Sequence, residues 1–140
     1  MSIIVIEAGI GAGKSTLLKK LSNFVHTLPE PLETWQDFYG TNYLHLCYEN
    51  PQQNFYQFQN LVQLTLLQRN MKLISGEINV LERSLDSIEK VFLPLASHLG
   101  YLNPAEHKLL ETWNQTLRSN IVVEPLHPYL FASYSRRMLQ

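Results

Sequence analysis

The sequence is short of cysteine, of charge and of long apolar runs, and each shortage removes a class of protein. Cys47 is the one cysteine in 140 residues. An internal disulfide and a cysteine-based metal cage are therefore excluded, and a reducing compartment is expected. Lys and Arg number 11 against 12 Asp and Glu, a formal net charge of −1. With no basic run either, no nucleic-acid partner is expected. The N-terminal apolar run breaks at Glu7, too short for the core of a signal peptide. No later stretch approaches membrane-spanning length. The expectation is an intracellular, cytoplasmic protein without a membrane partner. No repeat, low-complexity tract or linker divides the chain, so residues 1–140 read as one domain, long enough to bury a core. Apolar residues make up 45% and charged residues 16%, the proportions of a globular chain rather than a disordered one.

What is present is concentrated at the start. Ile3, Ile4, Val5 and Ile6 form a β-branched run that predicts a short strand buried on both faces. Ala8-Gly9-Ile10-Gly11-Ala12-Gly13-Lys14-Ser15-Thr16 follows, and then the helical spacing Leu17, Leu18, Leu21, Phe24. Strand, glycine-rich turn, Lys-Ser-Thr and helix is the context of a phosphate-binding loop. Glycines let backbone N–H groups converge on phosphate oxygens, and the helix start adds its positive end. Lys14 is expected to reach the β/γ-phosphates of a nucleotide, and the Ser15 hydroxyl to ligate Mg²⁺. The pattern's first glycine is replaced by Ala8, a position alanine can hold if its φ is negative.

Further on, Pro31 biases Glu30 toward extended backbone, which places Glu30 at a strand end, the usual seat of chemistry in a parallel sheet. Residues 32–48 read as a broken helix around Gly40, with aromatics Trp35, Phe38, Tyr39, Tyr43 and Tyr48. A helix is predicted from Asn50-Pro51 to about Ile74, with Phe55, Phe58, Val62 and Leu66 on its buried face. Gln59 shares that face. Its carboxamide is either satisfied by backbone or water, or pairs with the donor–acceptor edge of a nucleobase. INVL at 78–81 predicts a second buried strand running into Glu82-Arg83-Ser84. Ser84 can cap a helix whose apolar face is Leu85, Ile88, Phe92 and Leu95. Asn103-Pro104-Ala105-Glu106 is a capping signal for a last helix through Leu110, Trp113 and Leu117. Ile121–Val123 and Tyr129–Ala132 are weaker strand candidates. Strands alternating with helices imply a parallel sheet with helices on both faces.

IEAGIGAGKST at 6–16, Glu30-Pro31 with Trp35, Tyr48-Glu49-Asn50-Pro51, Phe58-Gln59 and Glu82-Arg83-Ser84 stand in one order. That series resembles the deoxynucleoside kinase family, the group of deoxycytidine, deoxyguanosine and mitochondrial thymidine kinases, from residue 3 to about 118. The resemblance implies an α/β fold of P-loop NTPase type, three layers α/β/α around a parallel sheet. It implies transfer of the ATP γ-phosphoryl group to a deoxynucleoside 5′-hydroxyl with Mg²⁺. Glu30 would be the general base, Arg83 would hold the hydroxyl or the phosphoryl group, and Glu82 would position Mg²⁺ beside Ser15. Trp35, Leu44, Tyr48, Phe58 and Gln59 would line the nucleoside pocket, with Gln59 on the base and Tyr48 on the sugar 3′-hydroxyl. Other residues have bland counterparts: a salt bridge for Arg83, ordinary core for the aromatics. Cys47 and the five histidines show no ligand spacing and read as structural.

Two departures bear on function. Where deoxycytidine kinases carry an arginine in the FQ helix and an aspartate after the ERS serine, Leu66 and Ile88 stand here, which favours a pyrimidine, thymidine foremost. In Tyr129-Leu130-Phe131-Ala132-Ser133 the family's arginine is Phe131. The family's arginine-rich lid and last strand find no counterpart; Arg136 and Arg137 fall too early and lack the RGR context. The expectation is a C-terminally truncated relative with an exposed sheet edge, covered by a partner chain or a homodimer contact, and a reduced rate. The competing expectations are a nucleotide-binding remnant with little turnover, and another P-loop enzyme such as a thymidylate kinase.

Overall fold

The computed structural model describes residues 2–7 and 13–120. Among them a three-stranded parallel sheet has β3 (Ile78–Glu82) at its centre, β1 (Ser2–Ile6) on one side and β2 (His26–Leu28) on the other. The register pairs Val5 with Leu81, Ile6 with Glu82 and Leu28 with Leu81. All three strands therefore end at one level, and the chain leaving each one starts the site described below. The helices in chain order are α1 (Lys14–Leu21), α2 (Leu32–Gln36), α3 (Tyr43–Glu49), α4 (Pro51–Asn70), α5 (Leu85–Ser87), α6 (Leu93–His98) and α7 (Pro104–Asn120), with a π-helical turn at Ile88–Phe92 between α5 and α6. The α/β fold with a parallel sheet is as expected.

α1 packs Leu18, with Leu17 and Leu21, on Ile6 and Val80. Val5, Leu28 and Leu81 line the opposite face, where Ile3 and Leu73 join them. The largest core lies among the helices, where Phe58, Leu61, Val62 and Leu66 of α4 meet Trp35, Leu85, Ile88, Leu93 and Leu110. Burial of this apolar surface is the dominant stabilising term. The helix starts follow the expected chemistry. Asn42 and Asn50 accept from the amides of His45 and Gln53, Ser84 accepts from that of Ser87, and Asn103 and Glu106 form a reciprocal capping box.

Five expectations are corrected. α1 ends at Leu21, so Phe24 falls beyond the helix and stands 84% exposed rather than on its apolar stripe. β1 is not buried on both faces, for Ile4 is 37% exposed and lies outside the cluster that α1 forms over Ile6 and Val80. α4 stops at Asn70 rather than near Ile74. The buried Asn79 side chain takes the next turn instead, accepting from the Ile74 amide (2.9 Å) and donating to the carbonyls of Ile74 and Glu77. In the segment after Ser84, Leu95 is 50% exposed while Leu93 and Ala96 are buried. The cause is the π turn: the Leu93 amide reaches back five residues to the Ile88 carbonyl, so the buried face advances past its α-helical register. On α7, Trp113 is 53% exposed and the neighbouring Asn114 is buried in its place. Asn114 Nδ2 donates to the Leu85 carbonyl (2.8 Å), and Leu110 is buried as expected. The strand candidates at 121–123 and 129–132, Phe131, and Arg136 and Arg137 lie outside the described residues.

Candidate active site

The strand ends open into a cleft of about 870 Å³. Gly13 starts one wall. Its φ of 87° is left-handed, which glycine adopts without a side-chain clash, and it is the residue from which α1 springs. Lys14, Ser15 and Thr16 follow on the first turn of α1 and all line the cleft, Lys14 buried. Of the expected phosphate-loop residues, Ala8, Gly9, Ile10, Gly11 and Ala12 lie outside the described residues.

Glu30, Glu82 and Arg83 converge on that wall from β2 and β3. Glu82 is almost fully buried, and its two carboxylate oxygens divide their work. Oε1 accepts from the Ser15 hydroxyl at 3.1 Å, and Oε2 accepts from the Glu30 amide at 3.3 Å. The Glu30 side chain forms an ion pair with Arg83 Nε, both groups largely sheltered. The Arg83 guanidinium also sits over the Phe92 ring, 4.3 Å from its centroid, a cation–π contact. The salt bridge that competed with a catalytic role for Arg83 is thus formed, and formed with the expected general base.

Arg83 holds this place in a strained backbone. Its φ is +66°, a conformation that costs a non-glycine residue about 1–3 kcal/mol and persists only where the surroundings over-determine it. Three neighbours do so. The Arg83 amide donates to the Ile6 carbonyl (3.0 Å). Glu7 Oε1 accepts from the amide and the hydroxyl of Ser84 (2.8 and 2.7 Å). The buried guanidinium of Arg69 on α4 donates to the carbonyls of Glu82 and, at 2.8 Å, Arg83. Neither Glu7 nor Arg69 was singled out in the sequence. Glu7 had a signal, a carboxylate between a strand and a glycine loop; Arg69 had none.

The far half of the cleft is aromatic. Trp35 is buried, edge-on to Phe58 (centroids 5.5 Å apart, planes at 86°), and its Nε1 donates to Thr65 Oγ1 at 2.8 Å. Leu44 lines the wall half-buried, and Tyr48 stands at the rim, 65% exposed. Gln59 is 5% exposed, and its Oε1 has no hydrogen-bond partner among the described residues. An orphaned buried acceptor costs about 1–3 kcal/mol, and this one borders the cleft. Of the two bland alternatives, a backbone partner for Oε1 is not found among the described residues. Phe92, Tyr101 and Cys47 also line the cleft, unforeseen from the sequence. Burial pushes the Cys47 thiol above its ordinary range. The structure thus brings Gly13, Lys14, Ser15, Thr16, Glu30, Trp35, Leu44, Tyr48, Phe58, Gln59, Glu82 and Arg83 to one cavity.

A lysine and a serine hydroxyl at a helix start, with a buried strand-end carboxylate on the serine, thus face a Glu–Arg pair and an aromatic pocket in one cleft. The sequence profile of the deoxynucleoside kinase family matches residues 4–137. The chain belongs to the deoxynucleoside kinase family. It is similar to mitochondrial thymidine kinase 2 of Homo sapiens, 30% identical over 124 residues, which cover 87% of this chain and 47% of the human kinase. It is 29% identical over 133 residues to the thymidine kinase of Ictalurid herpesvirus 1 (91% and 57% covered). It is 27% identical over 156 residues to the mitochondrial deoxyguanosine kinase of Xenopus laevis (95% and 54%). This member of the kinase family spans about half the length of the curated relatives it matches. No helix among the described residues is long and apolar enough to cross a membrane.

Proposed function

We propose that the chain transfers the γ-phosphoryl group of ATP to the 5′-hydroxyl of a deoxynucleoside, with thymidine the favoured acceptor. The observation that carries this is the Glu30–Arg83 pair, set between the Lys14–Ser15–Glu82 cluster and the aromatic pocket of Gln59 within one cleft. Glu30 accepts the hydroxyl proton as the oxygen attacks, and so must part from Arg83 as the substrate enters. Arg83, freed at one edge, donates to the oxygens on which charge gathers, a task suited to a planar multi-donor cation. Lys14 neutralises the β/γ-phosphates, and Glu82 keeps Glu30 in register with the first turn of α1 through its two hydrogen bonds.

The Ser15 hydroxyl and the Glu82 carboxylate suit Mg²⁺. They are hard oxygen donors in contact, few enough to leave the remaining ligand places to water and phosphate, as this ion requires. Among the described residues no cluster of three or more His, Cys, Asp or Glu forms an all-protein cage. When bound, the ion offsets charge on the phosphates. Trp35, Leu44 and Phe58 enclose the base, and Tyr48 at the rim takes the sugar 3′-hydroxyl. The orphaned Gln59 Oε1 accepts the N3–H of thymine while the amide NH₂ donates to a ring carbonyl. Leu66 and Ile88 are core residues, so no charged pair stands where one would select cytosine.

Transfer from γ-labelled ATP to thymidine, deoxycytidine, deoxyadenosine and deoxyguanosine tests this, with Glu30→Gln as control. Transfer that disappears in the control and is fastest with thymidine supports it. Labelled product at the control's level for all four nucleosides, with ATP still bound, overturns it in favour of a nucleotide-binding remnant.

A further inference from the structure

We infer that Arg69, which touches neither ligand in the proposed reaction, is a positioning residue that holds Arg83 and Glu82 in their working geometry. The inference rests on the kinase reading. Arg69 is buried near the C-terminal end of α4, and Asn70 Oδ1 accepts from both its Nε (3.2 Å) and its Nη2 (3.0 Å), which fixes the plane of the guanidinium. The same plane presents Nη1 to the Glu82 carbonyl and Nη2 to the Arg83 carbonyl. Two successive carbonyls gripped by one rigid fork set the peptide between them, the peptide that carries the left-handed Arg83. With both carbonyls turned toward α4, the side chains of Glu82 and Arg83 are left to line the cleft.

The grip also ties two ends of the site to one rod. α4 carries Phe58 and Gln59 at the aromatic pocket and Arg69 ten residues on, about 15 Å along a helix rising 1.5 Å per residue. A base seated against Gln59 is thereby registered to the turn that holds Arg83. Ile6 and Glu7 hold that turn from the strand side, but they contact only the amides of Arg83 and Ser84 and the Ser84 hydroxyl. Without Arg69 the carbonyl side of the turn is free to rotate, and Arg83 can relax from positive φ.

The test is Arg69→Met beside Arg69→Lys, each assayed for kcat, for KM of the best nucleoside acceptor, and for melting temperature. The expected result for Arg69→Met is a kcat about 10²-fold down, the usual effect of misplacing a catalytic group by about an ångström, with nucleoside KM and the folded fraction at the assay temperature unchanged. Arg69→Lys, which keeps a cationic donor but not the planar fork, restores kcat in part. Where Arg69→Met does not fold, Arg69→Gln takes its place with the same criteria. A wild-type kcat in the neutral variant, or a loss that follows the unfolded fraction and is not relieved by lysine, overturns the inference. A wild-type chain that transfers nothing overturns the kinase reading first, and this inference with it.

Discussion

Glu30 and Arg83 follow different strands and meet as a sheltered ion pair in the wall of the cleft. The pair is sheltered enough that each partner depends on the other. Arg83→Met leaves the Glu30 carboxylate without its cation and is expected to cost roughly 1–3 kcal/mol of stability. Adding Glu30→Gln removes the abandoned charge, so the double variant is expected to be more stable than Arg83→Met alone. Urea midpoints of wild type, both single variants and the double variant measure this. Strictly additive losses would show that the two groups are not energetically coupled.

Glu82 hydrogen-bonds both Ser15 and the Glu30 amide, and under the proposed function its replacement is expected to separate metal binding from nucleotide binding. Glu82→Gln retains size but offers one acceptor oxygen where two are used, and removes the negative charge that a divalent cation needs. ADP titrated calorimetrically with Mg²⁺ present is expected to bind about 10–100-fold more weakly to the variant, the scale on which loss of a supporting ligand acts. With EDTA in place of Mg²⁺, wild type and variant should bind alike. An equal loss in both conditions would place Glu82 outside metal binding.

Cys47 offers a chemical probe of the proposed nucleoside pocket. Alkylation needs the thiolate, and burial holds the thiol in its neutral form beyond the ordinary pH range of a cysteine. Iodoacetamide is therefore expected to label Cys47 more slowly than a free thiol near neutral pH, with the rate still climbing above the ordinary thiol range. Saturating nucleoside should slow labelling further, because Cys47 shares its cleft wall with Leu44 and Tyr48. Labelling that is indifferent to nucleoside would remove Cys47 from the occupied part of the pocket.

Local chemistry carried much of this structure. A β-branched run ahead of a glycine loop, asparagines before helices and an acidic residue before proline act over a few positions, so the strands, caps and Glu30 were visible in the chain. Ser15, Glu82 and Arg83 were legible for a further reason: strand ends in a parallel sheet gather at one edge whatever lies between them. Arg69 was not legible, because its role exists only once α4 passes beside the end of β3, and a lone arginine in a helix is usually solvated. Trp113 and Asn114 were exchanged for a related reason. Helical spacing ranks an indole above a carboxamide for burial, and only the nearby Leu85 carbonyl reverses that order.

The π turn makes the sharpest claim about packing. An α-helical register from Leu85 through Ile88 and Phe92 would bury Leu95, whereas the five-residue reach of the Leu93 amide buries Leu93. The same turn presents Phe92 to the Arg83 guanidinium, so the register of the core and the shape of the cleft are one decision. Leu93→Ala is expected to cost about 2–5 kcal/mol, since a fully buried leucine leaves a cavity that its neighbours refill only in part. Leu95→Ala should change stability by no more than about 0.5 kcal/mol, as for an exposed side chain away from special features. Chemical denaturation of the two variants decides between the registers. A larger loss at Leu95 than at Leu93 would mean that the helix continues without the extra residue, and that Phe92 faces away from Arg83.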